Sequence, residues 1–453
     1  MMIDNNKKSN LHNEWNMRII VTYFTNGIKR IFSKNLGRVI AIIYLAVGFL
    51  IWHFRYVIWK PDSTLMNVHK LFISFFVLTT ILLVTVFVIL IIGMPFDAIG
   101  ISKNFHRIGL VNSAGEAPLL LSKDKGNGKV MIYKFKTLGI PLSDWEDKQS
   151  KIESALNIHI DEISEGNNCR IIIVKCVGGE NQLHSYIEWS EDMISNENFE
   201  IVLGEGYLGK VTVNIAKIPH MLIGGSTGSG KSVLLKLVLM QCIKKGAEVY
   251  IADFKGGVDF PPVWHEKCTL LTDKETLLKV LVSITNELKE RKQILRNAGV
   301  ANIDEYNRNT RDNLKRIVFS CDEIAEILDK TGLLKQQKDE ILKIESELSV
   351  IARQGRAFGI HLILATQRPD ANILSGQIRN NIDTRICGRA DNVLSQIILD
   401  STDASEQIAK SSQGRFLTNS GKLFQAYWFF VIRRWKLWVT VKRKTSLIII
   451  VMF

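Results

Sequence analysis

A chain of 453 residues with a formal net charge of +13 invites a nucleic-acid-binding reading. The distribution excludes a uniformly basic surface: residues 1–38 hold seven basic and two acidic groups, residues 422–453 hold seven basic and none acidic, and the body between them is close to neutral. Six cysteines, at 169, 176, 242, 268, 321 and 387, include no Cys-x-x-Cys pair, so reduced and mostly buried thiols are expected, and His265 with Cys268 is a lone pair of ligand types for which no zinc is expected.

The N-terminal segment 1–38 carries Lys7, Lys8, Arg18, Lys29, Arg30, Lys34 and Arg38 against Asp4 and Glu14. The apolar run Val39–Trp59 follows, interrupted only near its end by His53 and Arg55, where a long cationic side chain snorkels to the interface. After a polar hinge around Lys60–Lys70 comes Leu71–Pro95, almost free of charge and rich in Phe, Val, Ile and Leu. Roughly 20 such residues cross a bilayer core, so residues 39–95 are predicted to form two transmembrane helices. The first run begins too far inside the chain for a cleaved signal peptide. The basic segment before it belongs on the cytoplasmic side, which also suits anionic lipid, and two spans return the rest of the chain to that side. The expectation is a multi-pass protein of the cell membrane with its soluble part in the cytoplasm.

Residues 96–200 alternate short apolar runs with Gly/Asn/Ser turns. Lys129–Phe135 and Cys169–Lys175 read as strands and Asp144–Leu156 as a helix, which predicts a small α+β adaptor. From 201 to 426 strand, loop and helix repeat: strands at His220–Gly224, Glu248–Asp253, Arg316–Asp322 and Gly359–Thr366, helices from Val233, at Thr276–Ala298 and at Ile341–Ala352. Such alternation predicts an α/β domain with a mostly parallel sheet covered on both faces.

Between the first strand and helix of that series lies Gly225-Ser-Thr-Gly-Ser-Gly-Lys-Ser232. Glycines at 225, 228 and 230 let successive backbone N–H groups turn inward around phosphates, and the following helix adds the partial positive charge of its N-terminus. Gly225, Ser226, Thr227, Gly228, Ser229, Gly230, Lys231, Ser232 and Val233 are therefore the candidate nucleotide-binding residues. Lys231 is placed to reach the β- and γ-phosphates and Ser232 to hold Mg²⁺. The buried run Ile317–Cys321 ends in Asp322-Glu323 at the same sheet edge; Asp322 is a candidate Mg²⁺ ligand, and Glu323 a candidate for orienting the water that attacks the γ-phosphate. A plain helix N-cap is the alternative for that pair. The next strand ends in Ala365-Thr-Gln-Arg-Pro369, where Gln367 is either a γ-phosphate sensor or a turn residue. Leu374-Ser-Gly-Gln377 has the look of a transporter signature, but it follows the Asp-Glu strand and is read as a turn before a helix.

Together, Ala216–Val233, Asp253-Phe-Lys-Gly-Gly257, Asn286-Glu-Leu-Lys-Glu-Arg291, Asp322-Glu323 and Arg353–Pro369 resemble, in that order, the motor domain of the FtsK/SpoIIIE family, over roughly residues 200–425. The resemblance implies a RecA-like P-loop ATPase that uses ATP and Mg²⁺, assembles as a homo-hexameric ring, and moves DNA through its pore. It also implies hydrolysis at subunit interfaces with an arginine supplied in trans. An arginine that many members carry is replaced here in Leu394-Ser-Gln396, which leaves Arg385 as the first candidate for that contact and Arg389 as the second, with a surface salt bridge as the alternative for either. The long Pro/Gln-rich linker and winged-helix module of chromosome-segregating members are missing. A short two-span version is similar to the DNA-transfer proteins of conjugative elements in Gram-positive bacteria, with a relaxase and channel proteins as further implied partners. The alternatives are a ring ATPase energising protein secretion and a chromosome-partitioning DNA motor.

The tail 427–453 departs from the pattern, with a cationic, Trp-bearing stretch around Arg433–Lys444 and an apolar end too short to span. Three readings stay open: a tail that touches membrane or DNA, a packed final strand, or a reading-frame shift that replaced the original ending. The last is preferred on the abrupt change in composition.

Overall fold

The computed structural model describes residues 20–33, 35–61, 66–256, 258–367 and 373–429. The chain divides into two compact units, 1–181 and 182–453.

In the first unit, the apolar runs become helices Asn35–Ile58 and Met66–Gly93, of 24 and 28 residues, both long and apolar enough to cross a membrane. Their large side chains point outward: Leu45, Phe49, Phe72, Phe75 and Phe87 are all exposed. Inside the pair the polar groups find each other. The Tyr44 hydroxyl lies 2.7 Å from the Ile81 carbonyl and 2.8 Å from Thr85 Oγ1. Arg55 folds over the Trp52 and Tyr56 rings, 4.0 and 4.2 Å from their centroids, and donates to Ser74 Oγ at 3.2 Å. Residues 20–33 form a further helix, which crosses the second long helix at Gly27 and Gly93. A Cβ on Gly93 would stand 1.8 Å from the Tyr23 carbonyl, and one on Gly27 2.0 Å from that of Ile89, so only glycine permits this approach.

The rest of this unit is a four-stranded antiparallel sheet, β1 (Leu119–Lys125), β2 (Met131–Lys136), β3 (Ile158–Glu165) and β4 (Ile171–Gly178), in the order β1-β2-β4-β3. Helices Ala98–Arg107, Leu142–Asp147 and Gln149–Leu156 accompany it. The predicted single helix Asp144–Leu156 is interrupted at Lys148, and the strands β1 and β3 were not anticipated. Phe105, Phe135 and Trp145 form the centre of its core, with ring centroids 5.1–5.5 Å apart, in the tilted and edge-on geometries that aromatic quadrupoles favour.

The second unit is built on a ten-stranded sheet: β5 (Glu200–Gly206), β6 (Gly209–Asn214), β7 (Met221–Gly224), β8 (Glu248–Ala252), β9 (Thr269–Leu271), β10 (Ile317–Cys321), β11 (Ile360–Thr366), β12 (Thr384–Cys387), β13 (Arg415–Thr418) and β14 (Leu423–Ala426). Their order is β6-β5-β14-β13-β12-β7-β11-β10-β8-β9. From β12 to β9 all neighbours are parallel, while β13, β14, β5 and β6 add an antiparallel wing. The α/β fold with a mostly parallel sheet is as expected. Every residue of β7, β10 and β11 is buried, which is why these strands read as unbroken apolar runs rather than alternating ones.

The helix Lys231–Lys244 is buried almost throughout. Its one interior amide, Gln241, accepts from Val202 N at 2.9 Å and donates to Val202 O at 2.8 Å, satisfying both backbone groups where β5 loses register against β6.

This unit begins earlier and ends later than the 201–426 expected. Residues from Gln182 belong to it: Trp189 is buried 5.7 Å from Tyr427, its N–H bonded to the Trp428 carbonyl at 3.0 Å. Tyr427 and Phe429 are buried as well, so the first residues of the supposed tail are packed. The basic and apolar ending, residues 430–453, lies outside the described residues, as does most of the basic N-terminal segment.

Candidate functional site

Parallel strands all deliver their ends to the same edge of a sheet, and polar residues placed just after each strand therefore meet there. At this edge β7 runs into the glycine-rich loop, β10 into Asp322-Glu323, β8 into Asp253, β11 into Thr366-Gln367 and β12 into Gly388-Arg389. The order of the strands makes neighbours of residues far apart in the chain.

Two glycines of the loop take a backbone conformation that other residues rarely adopt. Gly228 and Gly230 take φ of 78° and 98°, in the left-handed region that other residues pay to enter. Gly230 caps the helix that begins at Lys231, and a Cβ there would press to 3.2 Å against the backbone of Gly414.

Lys231 and Asp322 are nearly fully buried, with the ammonium 3.3 Å from Asp322 Oδ1 and also bonded to the Asp322 carbonyl. Ser232 Oγ donates to the same Oδ1 at 3.0 Å, and Lys255 Nζ stands 3.3 Å from Oδ2. Burial raises the Asp322 carboxyl, but the charges of Lys231 and Lys255 and the Ser232 hydroxyl outweigh it and hold the group below its usual value. The carboxylate is thus kept ionised inside the protein by two cations and a hydroxyl.

Glu323 is also buried. Its Oε1 accepts from Thr366 Oγ1 at 2.8 Å and its Oε2 from Gln367 N at 2.9 Å. The Gln367 side chain accepts from Thr227 Oγ1 at 2.9 Å. Gln367 therefore joins the phosphate loop to Glu323, through its amide side chain on one side and its backbone on the other. The five residues after it, 368–372, are not among those described.

The candidates for an arginine acting in trans are both engaged within the chain. Arg385 pairs with Asp400 and donates to the carbonyls of Ile382, at 3.0 Å, and Arg379, at 3.2 Å. Arg389 is woven into the loop itself: it donates to Ser226 Oγ at 3.2 Å, Thr227 O at 2.5 Å and Lys410 O at 2.8 Å, while its own carbonyl accepts from Ser226 N at 2.8 Å. The Asn286–Arg291 stretch is structural here, since Arg291 is buried between Glu287, at 2.7 Å, and the Phe358 carbonyl, also at 2.7 Å.

Three participants were not assigned roles from the sequence: Lys255, Thr366 and Asp253. Lys255 and Asp253 lie in the Asp253–Gly257 motif, and their position just after a buried strand was the available signal. Asp253 Oδ1 accepts from Lys255 N at 3.0 Å, whereas its Oδ2, like Ser229 Oγ, is buried without a protein partner among the described residues. Such orphaned oxygens are costly in a finished core and ordinary in a site that awaits a ligand. Ser232, Asp322 and Asp253 present only oxygen donors, the chemistry that suits Mg²⁺.

An FtsK/SpoIIIE family profile matches residues 189–371. The chain is 34% identical over 241 residues to the DNA translocase FtsK of Chlorobaculum tepidum and 31% identical over 225 residues to the DNA translocase SftA of Bacillus subtilis. These matches take in 49% and 47% of this chain but only 28% and 23% of those proteins. Among solved structures, that of the pCW3 conjugation coupling protein TcpA, a monomer form with ATPγS, is 33% identical with a TM-score of 0.57, and the likeness covers 77% of this chain and 99% of that one. The chain belongs to the FtsK/SpoIIIE family. In this family member the glycine-rich loop and the Asp322-Glu323 pair meet at one edge of the sheet, joined through Ser232 and Lys231.

Proposed function

We propose that this protein is a membrane-anchored, ATP-hydrolysing DNA motor that acts as a coupling protein in conjugative transfer. The observation that carries the reading is the convergence on one sheet edge of Lys231, Ser232, Asp322 and Glu323, with Gln367 bonded to both the P-loop and Glu323. Lys231 is held beside Asp322 until it exchanges that carboxylate for the β- and γ-phosphates. Ser232 and Asp322 would hold Mg²⁺, which would neutralise phosphate charge when bound. Glu323, its carboxylate aimed by Thr366 and Gln367, orients the attacking water, and the Thr227–Gln367 contact passes the state of the γ-phosphate end to Glu323. DNA as cargo is supported by the likeness to the coupling protein over 99% of that solved chain and by the DNA translocases among the relatives; a homo-hexameric ring, and a relaxase with channel proteins as partners, rest on the family resemblance alone. The two long apolar helices supply the anchor.

ATPase turnover of the full chain in lipid nanodiscs, measured with single-stranded DNA, duplex DNA and no DNA, tests this. Stimulation by either DNA is the expected result, and the stronger activator identifies the substrate form. Turnover indifferent to both, yet raised by an exported protein, would replace the proposal with a secretion motor.

A further inference from the structure

Where the two long apolar helices meet the four-stranded sheet lies a pocket of about 590 Å³. It is lined by apolar side chains from the start of the first helix, Leu36 and Ile40, and from the end of the second, Val88 and Ile91, together with two cations, Arg30 and Lys123. The apolar lining is not covered by protein: Leu36 is 73% exposed, and Phe96, just past the second helix, 87%. Such exposure suits acyl chains, whereas two cations facing the same space do not suit a purely hydrocarbon neighbour.

Arg30 is held in place by two neutral partners. Its Nη1 donates to the Ile92 carbonyl at 3.0 Å, in the last turn of the second long helix, and its Nη2 to the Leu121 carbonyl of β1 at 3.2 Å. The guanidinium keeps its positive charge, and each of those nitrogens has a second N–H to give. Lys123 stands two residues further along β1, its ammonium 5.1 Å from the centroid of the Tyr133 ring. Asp97 lies near enough to attract Lys123, but it is not part of the lining, which among the described residues includes no acidic group. Gly37 brings the base of the first long helix against Arg30, since a Cβ on it would stand 2.8 Å from the Arg30 carbonyl.

A lipid phosphate offers acceptors to both cations at once, and its fatty chains cover the apolar walls. A zwitterionic headgroup brings its own ammonium, for which a lining with two cations and no carboxylate has no partner; a net-negative headgroup fits it better. We propose that this pocket binds an anionic phospholipid, its phosphate held by Arg30 and Lys123 and its acyl chains laid along Ile40, Val88 and Ile91. The proposal rests on the membrane-anchor reading above and adds to it a site for one class of lipid. Because Arg30 also holds the Leu121 carbonyl, a bound phosphate ties β1 to the membrane surface where the chain leaves the second long helix.

The test weighs an anionic lipid against a zwitterionic one. Binding of phosphatidylglycerol and of phosphatidylcholine to the full chain, purified in detergent, is measured by native mass spectrometry for the wild type, Lys123→Gln, Arg30→Gln and Lys103→Gln, the last an exposed lysine that does not line the pocket. The wild type is expected to take its first phosphatidylglycerol more tightly than phosphatidylcholine. Lys123→Gln and Arg30→Gln should each lose about 5-fold in phosphatidylglycerol affinity, the usual worth of one basic side chain at an anionic lipid surface, and Lys103→Gln none. Lys123, being exposed, keeps the test independent of any folding defect at Arg30. Equal affinity of the wild type for the two lipids, or a Lys123→Gln protein that binds phosphatidylglycerol as the wild type does, overturns the site while leaving the anchor reading intact. A loss in Lys103→Gln equal to that in Lys123→Gln overturns it too, in favour of diffuse attraction to a basic surface. Displacement of the bound phosphatidylglycerol by inorganic phosphate at comparable concentration overturns it in favour of a soluble anion. A chain that alkaline carbonate strips from the membrane fraction overturns the anchor reading and the site with it.

Discussion

At the carboxyl edge of the parallel strands, Lys231 and Lys255 crowd Asp322, and Asp253 keeps one carboxylate oxygen without a protein partner among the described residues. At the amino edge of the same strands, buried Arg316 donates to His361 Nε2 at 3.1 Å and to Asp304 Oδ1 at 2.5 Å, and lies 5.0 Å over the Phe199 ring. His361 Nδ1 reaches the Pro219 carbonyl at 2.9 Å, and His220 Nδ1 accepts from Leu362 N at 2.9 Å. Both clusters bury charge, which is expensive unless each group is bonded. At the amino edge Arg316 and His361 meet that condition from within the chain and tie β7, β10 and β11 together, with His220 Nε2 left without a partner among the described residues. The carboxyl edge meets it only in part: its groups are held in place by mutual attraction, and ligands would complete them. Buried ionic groups with completed bonds serve structure; those left incomplete at a strand terminus mark chemistry.

The largest effects that bear on this contrast fall on turnover. Glu323→Gln should lower the ATPase rate by about 10²–10⁴-fold, the usual worth of a positioned proton-handling group, with ATPγS affinity and thermal midpoint close to wild type, because an amide can still accept from Gln367 N and bond Thr366 Oγ1. Lys231→Ala should reduce hydrolysis comparably and weaken ATPγS as well. Single-turnover kinetics alongside nucleotide binding separates the two, and a Glu323→Gln protein that hydrolyses normally would remove Glu323 from the chemistry.

The carboxyl edge was legible in the sequence because its strands are buried on both faces and so appear as apolar runs with polar residues at their ends. The glycine-rich spacing then identified the loop, and Asp322, Glu323 and Gln367 followed from their positions after successive strands. What escaped was whatever depends on the order of strands in space. Lys255 bonds Asp322 only because β8 lies beside β10, and Arg389 enters the loop only because β12 lies beside β7. The pairing of Arg385 with Asp400, fifteen residues on, was equally out of reach of the sequence. The last strand of the antiparallel wing was missed for a different reason. β14 has four residues, too few for a period to declare itself, and in the separate four-stranded sheet β3 breaks its own alternation with a shift in register between Ile160 and Glu162.

At the amino edge the next largest effect is on stability rather than rate. Arg316→Met keeps the aliphatic bulk but removes the donors to His361 and Asp304. An expected loss of about 2–3 kcal/mol follows from leaving the buried His361 acceptor unpaired and the Asp304 carboxylate without its cation, with kcat of the folded protein unaltered. Urea unfolding followed by Trp fluorescence, together with ATPase assays at low denaturant, would read both quantities. A drop in kcat without a drop in stability would break the distinction between the edges.

The stability of the amino edge also depends on pH. Burial drives the His220 imidazole down to about 4, and burial with the adjacent Arg316 charge drives His361 well below its usual value. Both rings are neutral in the folded chain, as their bonds require, since His220 Nδ1 accepts a backbone N–H and His361 Nε2 accepts from a guanidinium. An unfolded histidine binds its proton below a pH of about 6.5. Between there and about 4 the unfolded chain holds more protons than the folded one, so stability present at neutral pH is lost as the pH falls, at up to about 1.4 kcal/mol per unit for each ring. Asp322, held below its ordinary value, adds its own loss only beneath this window. Hydrogen exchange of the Ile360–Thr366 amides, corrected for intrinsic rates, should therefore show protection declining from pH 6.5 to 4. In His220→Asn, whose Oδ1 can accept from Leu362 N without titrating, the decline should be shallower, and an identical slope in both proteins would remove His220 as its source.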